Sequence, residues 1–338
     1  MNGPELLNTI RDNASAEYQA NVPVATMSNL ADVGNPILSY SSVQNEFINT
    51  IVNKIAKTIV ESKVFNNRLA FLKKGTTPLG NDTEILAVNP AADKGYTTTQ
   101  SNLLTTYTPE VAAEYLRMNR QSKYTQTISN RQLQQAYTSF GALESLIAGI
   151  ANSLYSGDAI DEWKLMKGMI GTAADETTPQ IVTQTVTAPT DKESSDAFLT
   201  AVRKASLDIE MPGSSFNRYK ALGGSFDFVG WTEPSRKVVM MTTQVASVTS
   251  VNSLAYAFNM DKADFLGRQV VIDSFGTGAV SSKIQAAVFD ESYLQVYDNL
   301  SEFGTFYDID TLRWHYYWHH WQTYSILAHA NAVAFVTA

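Results

Sequence analysis

From Thr311 to the end of the sequence at Ala338 the chain carries one charged side chain, Arg313. The stretch TLRWHYYWHHWQTYSILAHANAVAFVTA is aromatic and β-branched in character, and it reads as strands. Rings at this density gain too much from leaving water to remain exposed along their length. A membrane is not the answer, because no uninterrupted run of about 18 apolar residues exists. The nearest approach, residues 324–338, is short and holds His329 and Asn331. The segment must therefore be covered by protein. Composition extends the argument to the whole chain. Charged residues make up 17%, against about 25% in an average soluble domain. Aromatics reach 11%. Few charges and many rings fit a surface largely covered by partners, since interface cores are depleted of charge and enriched in aromatics.

The same arithmetic excludes several classes. A net charge of −8 and a pI near 5.1 argue against a chain that wraps nucleic acid. With no cysteine there is no disulfide framework, no thiolate zinc site and no cysteine nucleophile. The opening MNGPELLNTIRDNASAEYQ lacks a basic start followed by an apolar run. A product made in a cytoplasm is expected, with no membrane partner. The 338 residues allow two or three domains and a large core without staples.

Along the chain, residues 1–42 have weak periodicity, and ADVGNPILSYSS predicts an extended arm or a disordered tail. Residues 43–65 predict a helix, with Phe47, Ile51, Ile55 and Ile59 recurring every four residues. Residues 66–129 are broken by Gly, Pro, Asn and Asp, with Thr- and Tyr-rich pieces between. They predict a long two-stranded excursion plus a tail strand. Such a hairpin is marginal alone and needs a surface to lie on. Residues 130–156 predict a long helix capped by Asn130, with Leu133, Tyr137, Phe140, Ile147, Ile150 and Leu154 on one face and an end at Gly157. A second helical piece covers 161–170. Residues 171–192 predict a Thr/Pro linker with a strand at 181–186 and a domain boundary. Residues 193–211 predict a helix with Phe198, Val202, Ala205 and Ile209 on one side. Strands at 237–242, 269–272 and 286–289 and a short helix at 251–258 make 193–290 a compact α/β subdomain.

Candidate chemistry is sparse. His315, His319, His320 and His329 all lie near the C-terminus. On a helix, His315 and His319 would share a face as zinc pairs do. On a strand they share a face about 13 Å apart, and no general-base Glu stands between them. Packed or interfacial histidines are the better reading. Trp314, Trp318 and Trp321 lack the basic surround of a base-stacking platform. The adjacent acids Asp161/Glu162, Asp175/Glu176 and Asp290/Glu291 point apart and make poor acid–base pairs. Gly223 and Gly224 in ALGGSFDF lack Walker spacing and a following Lys. The basic run Arg117, Arg120 and Lys123, with Tyr115 and Tyr124, reads as a solvated or subunit-facing strand. No catalytic, cofactor-binding or metal residue is assigned, and no cofactor is expected.

Three stretches carry a resemblance. They are KYTQTISNRQLQQAYTSFGALESLIAGIANSLYSGDAIDEWKLMKGMI (123–170), LAYAFNMDKADFLGRQVVIDSF (254–275) and AAVFDESYLQVYDNLSEFGTFYDIDTLRWHYYWHHWQTYSILAHANAVAFV (286–336). The third is the most specific, through VFDESYLQVYDN and the W-x-x-x-S…NAVAFV ending. With the order of elements, they resemble the major capsid proteins of tailed bacteriophages with the Hong Kong 97-type fold, above all the head proteins of short-tailed phages. The resemblance implies an α+β fold with an N-terminal arm (1–42), a helix (43–65) and an extended loop (66–129). A peripheral domain with the spine helix (130–192 and 286–338) and an axial domain (193–285) would complete it. It implies a non-enzymatic subunit that assembles with itself, as pentamers and hexamers, into an icosahedral head enclosing double-stranded DNA. The expected location is the virion, with assembly in the host bacterial cytoplasm. Implied partners are a portal, scaffolding or decoration proteins, and DNA touched without sequence specificity. In the founding member of the fold, Lys–Asn bonds weld subunits. Lys73, Lys74 and Lys94 lie in the loop, but no acceptor Asn or catalytic carboxylate is identified, so the crosslink is not carried over. The alternatives are an encapsulin-type nanocompartment shell and, from another class, a metallo-hydrolase using the C-terminal histidines.

Overall fold

The computed structural model describes residues 3–26, 28–39, 43, 47, 65–78, 82–95, 105–129, 140–252 and 267–338. Most of the helix expected at 43–65 lies outside them, although Val43 and Phe47 are helical and buried. The Asn130 start of the long helix and residues 253–258 of the short one also lie outside. The chain divides into two compact units. One comprises Met1–Asn67, Gln121–Glu162 and Leu300–Trp321. The other comprises Arg68–Arg120, Trp163–Asn299 and Gln322–Ala338.

The first unit opens with three helices, α1 (Gly3–Asp12), α2 (Ala16–Asn21) and α3 (Leu30–Ser39). Ser15 caps α2 by accepting from the Tyr18 N–H at 3.2 Å. Arg11 donates to the carbonyls of Gln19 and Val22, both at 2.8 Å, which satisfies the end of α2. The extended reading of 30–39 is corrected: this segment is helix, with Pro36 inside it. A proline in a helix interior costs roughly 3 kcal/mol. Val33 and Ile37, one turn apart and fully buried, each gain about 1.5–3 kcal/mol, so burial decides the conformation.

These helices bury against a face made by β4 (Arg120–Ser129), β9 (Leu294–Asp308) and β10 (Arg313–Ile326), which are neighbours in a sheet of order β1-β9-β10-β4, with β1 at Lys73–Thr76. In β10 alternate residues go inward, so Trp314, Tyr316 and Trp318 are buried. The spine is a single helix, α4 (Phe140–Asp175), of 36 residues and about 54 Å. This corrects the expectation of two pieces ending and restarting around Gly157. A Cβ at Gly157 would stand 3.4 Å from the Tyr124 ring. That is ordinary van der Waals distance, so the glycine neither ends the helix nor is required by the ring.

The second unit is built on a five-stranded sheet of order β5-β11-β8-β6-β7. The strands are β5 (Val182–Val186), β6 (Lys237–Thr242), β7 (Arg268–Ile272), β8 (Ile284–Asp290) and β11 (Ala332–Thr337). β5 and β11 are parallel, as are β6 and β7, while β8 runs antiparallel to both of its neighbours. Both faces are covered. Val238 and Met240 share a core with Met166, Ile170 and Ala173 of α4. Val239 and Met241 share another with Phe198, Val202 and Ile209, from α5 (Lys192–Asp208) and its C-cap. This is why KVVMMT is apolar without alternation. Asp191 and Ser194 form a reciprocal capping box at the start of α5. The short helix expected at 251–258 begins earlier, as α6 (Thr243–Asn252).

Candidate assembly interface

Within the second unit, β2 (Thr83–Val88) and β3 (Val111–Leu116) form a two-stranded antiparallel sheet. Its register pairs Glu84 with Tyr115, Leu86 with Ala113 and Val88 with Val111. Those six side chains share one face. That face is open: Leu86, Val88 and Tyr115 are 60%, 61% and 63% exposed. The Tyr115 hydroxyl donates to Glu84 at 3.0 Å, and this hydrogen bond to the carboxylate raises the phenol pKa. The other face is anchored. Ala112 and Leu116 are buried, and Leu116 belongs to the core that Ile85 packs against.

Polar contacts fasten the hairpin at both ends. Glu114 accepts from the backbone N–H groups of Ala328 and His329, at 2.9 and 3.1 Å, and meets His329 Nδ1 at 2.5 Å. Asn89 donates to Glu110 at 2.7 Å and to the Asp227 carbonyl at 3.3 Å, and accepts from the Val229 N–H at 2.9 Å. The result is an apolar ledge, anchored on one face and uncovered on the other among the described residues. Monomeric proteins seldom expose such contiguous patches without use for them. The ledge was not singled out in the sequence. Its signal is in TEILAV, where Ile85 and Leu86 are both apolar: a strand with both faces apolar needs two covers.

The residues weighed for chemistry contact other groups of the protein. His315, Tyr317 and His319 form a ladder on β10, with successive ring spacings of 6.3 and 6.4 Å. The two imidazoles are therefore too far apart to share one ion. His315 Nδ1 instead lies 2.9 Å from Thr127 Oγ1. His320 faces the core, 2.6 Å from Asp158 of α4, which also accepts from Trp318 Nε1 at 3.2 Å. The neighbouring Tyr155 hydroxyl is pushed up to about 12 by burial and by the charge of Asp158.

Adjacent acids diverge as expected. Asp161 accepts from Tyr124 and Glu162 from Asn67, while Asp290 meets Arg236 and Glu291 meets Lys74. The basic run contacts protein groups: Arg117 pairs with Asp82 at 2.8 Å, Arg120 bonds Gln322, and Lys123 lies over the Tyr317 ring. Of the loop lysines, Lys73 pairs with Asp298 at 2.8 Å and Lys94 sits over Tyr107. Gly223, at φ +102°, closes a short 3-10 turn, and Gly224 backs against Tyr219.

A mixed α/β fold of this kind occurs in a phage capsid. The chain superposes on a chain of the capsid structure of Staphylococcus phage Andhra with a TM-score of 0.66, at 14% identity, over 81% of this chain and 85% of that one. The class is thus a phage capsid fold. Sequence carries the assignment further. The Phi29-like phage major capsid protein family matches residues 7–336, and the chain belongs to that family. It is 33% identical to the major capsid protein of Bacillus phage B103 and 30% identical to that of Bacillus phage PZA. Each match covers 98% of this chain and 72% of the relative. The protein is a structural component of the virion, a subunit of the head shell. Neither the nanocompartment nor the metallo-hydrolase reading is supported.

Proposed function

We propose that the subunit assembles as pentamers and hexamers into an icosahedral head around double-stranded DNA, using the Hong Kong 97-type division of labour. Residues 1–42 act as the arm, 66–129 as the extended loop, 130–192 with 286–338 as the peripheral domain, and 193–285 as the axial domain. The observation that carries this reading is the β2–β3 ledge, with one face locked into its own subunit and the other apolar and open. A neighbour laid over Leu86 and Val88 recovers about 1.5–3 kcal/mol for each side chain fully covered. One such contact is weak, but many per particle make the shell strong. The role is mechanical, without catalysis. The net charge of −8 suits a wall that confines DNA rather than one that neutralises it, with contacts to DNA that are non-specific. Assembly in the host bacterial cytoplasm, with a portal and scaffolding or decoration proteins as partners, completes the proposal.

Electron microscopy of the purified protein tests it. Wild type is expected to form closed particles. A Leu86→Lys/Val88→Lys double variant is expected to stay as folded subunits or small oligomers. Closed particles of the double variant at wild-type yield would overturn the role of the ledge.

A further inference from the structure

A polar pocket of about 400 Å³ lies in the second unit, bordered by Val182 of β5 and by side chains of the segment 214–227. Ser214, Ser215, Asn217, Arg218, Lys220 and Asp227 line it. Arg218 is fixed at two points. Its backbone N–H donates to the Ala328 carbonyl at 2.8 Å, and its Nε donates to the Pro179 carbonyl at 2.9 Å. The residue is half-buried. Yet its guanidinium forms no ion pair, and its two terminal nitrogens meet no acceptor, among the described residues.

An arginine drawn partly out of water ordinarily has its fork on a carboxylate or a phosphate. The neighbours do not supply one. The acid of the pocket, Asp227, is held by Lys220 at 2.9 Å. Asn217 donates its amide to the Phe228 carbonyl at 2.8 Å. The hydroxyls of Ser214 and Ser215 are exposed and make no hydrogen bond among the described residues. So the pocket offers the two terminal nitrogens of Arg218 and two hydroxyls as open donors. Lys220 and Asp227 cancel, which leaves one uncompensated positive charge. A planar carboxylate has too few oxygens to use all of these donors. A tetrahedral phosphate presents enough oxygens, at different angles, and carries the matching charge.

We propose that this pocket is a phosphate-binding site, with Arg218 holding the anion by its fork and Ser214 and Ser215 donating to its remaining oxygens. Free phosphate and the phosphates of a nucleic acid share this chemistry, and the experiment separates them. The site is distinct from the β2–β3 ledge and does not depend on the shell role.

Titration calorimetry of the purified full chain with inorganic phosphate tests it, with chloride holding the ionic strength constant. Wild type is expected to give a saturable isotherm. Ser214→Ala/Ser215→Ala should weaken binding roughly tenfold, because hydrogen bonds to a charged group are lost, with no change in the unfolding midpoint. Arg218→Lys keeps the charge but loses the fork, and should also weaken binding roughly tenfold. Asp227→Asn removes the acid and releases Lys220. It should tighten binding a few-fold, a gain that a misfolded variant would not show. A short DNA duplex is the second probe. Duplex binding that weakens in the serine variant assigns the pocket to nucleic-acid phosphate. Inorganic phosphate binding that weakens in the serine variant, with duplex binding unaltered, assigns it to a free phosphate. Failure of both probes to show binding that the variants alter would overturn the site, and leaves the shell role untouched.

Discussion

At the residue scale, the interior of the first unit contains a group that works against it. The Tyr155 hydroxyl is buried and has no hydrogen-bond partner among the described residues, while its ring lies tilted 4.8 Å from that of Trp318. A buried hydroxyl left unsatisfied costs free energy that a ring alone does not. Tyr155→Phe should therefore keep the packing and raise the unfolding free energy by about 1 kcal/mol, read from urea midpoints. Gly171 is the opposite case. A Cβ there would stand 2.2 Å from the Phe275 carbonyl oxygen and 2.8 Å from Ser281 Cβ. Backbone cannot yield as a side chain does, so Gly171→Ala should lower stability by about 1–3 kcal/mol, with no loss of helix propensity to blame. Neither effect is legible in the sequence. A tyrosine in an amphipathic helix and a glycine near its end look ordinary until their neighbours are known.

At the scale of elements, the extended loop is where sequence and structure meet most usefully. The sequence predicts strands broken by turns across 66–129, and β1 to β4 lie there. It does not say that β1 and β4 join β9 and β10 in another sheet, leaving β2 and β3 as the pair. The distinction alters what a deletion means. Removing 76–106 would take β2 away and leave β3 unpaired along Val111–Leu116. Replacing 90–109 with Asn-Gly respects the register, because the Asn89 N–H already donates to the Glu110 carbonyl at 2.8 Å. That shortened subunit is expected to unfold at the wild-type denaturant concentration but to lose closed particles in electron micrographs. An unchanged particle yield would mean that the outer loop is dispensable. The spine makes a related point. Gly157 reads as a helix end, yet the helix runs through it to Asp175.

For the whole molecule, acid sensitivity follows from how its carboxylates are held. Asp175 accepts from the N–H groups of Val280 and Ser281, at 2.7 and 3.0 Å, and hydrogen bonds to Ser281 hold its pKa below 3.8. Asp273 is held below 3.8 mainly by its hydrogen bond to Lys167. A carboxyl with a lowered folded pKa adds stability above its unfolded value and loses it as pH falls through the folded one. Stability should therefore be level above the ordinary carboxylate range and drop as pH falls below about 4. An Asp175→Asn/Asp273→Asn variant should show a shallower acid drop. Urea midpoints measured from neutral to acid pH check both.

The sequence by itself determined that the charge-poor tract after Thr311 must be covered, that no cysteine chemistry operates, and that KVVMMT is a strand. These follow from local facts: the transfer energy of side chains, the presence or absence of a reactive group, and the two-residue period of a strand. Only the tertiary structure decided how the cover is divided. Trp314 and Trp318 go into the core of the first unit, and ANAVAFV supplies β11, next to the edge strand β5 of the second unit's sheet. It also decided that Leu86 and Val88 are left outside. Burial depends on which distant segments arrive at each face. An apolar side chain reads the same in the sequence whether its own fold covers it or leaves it for the next copy.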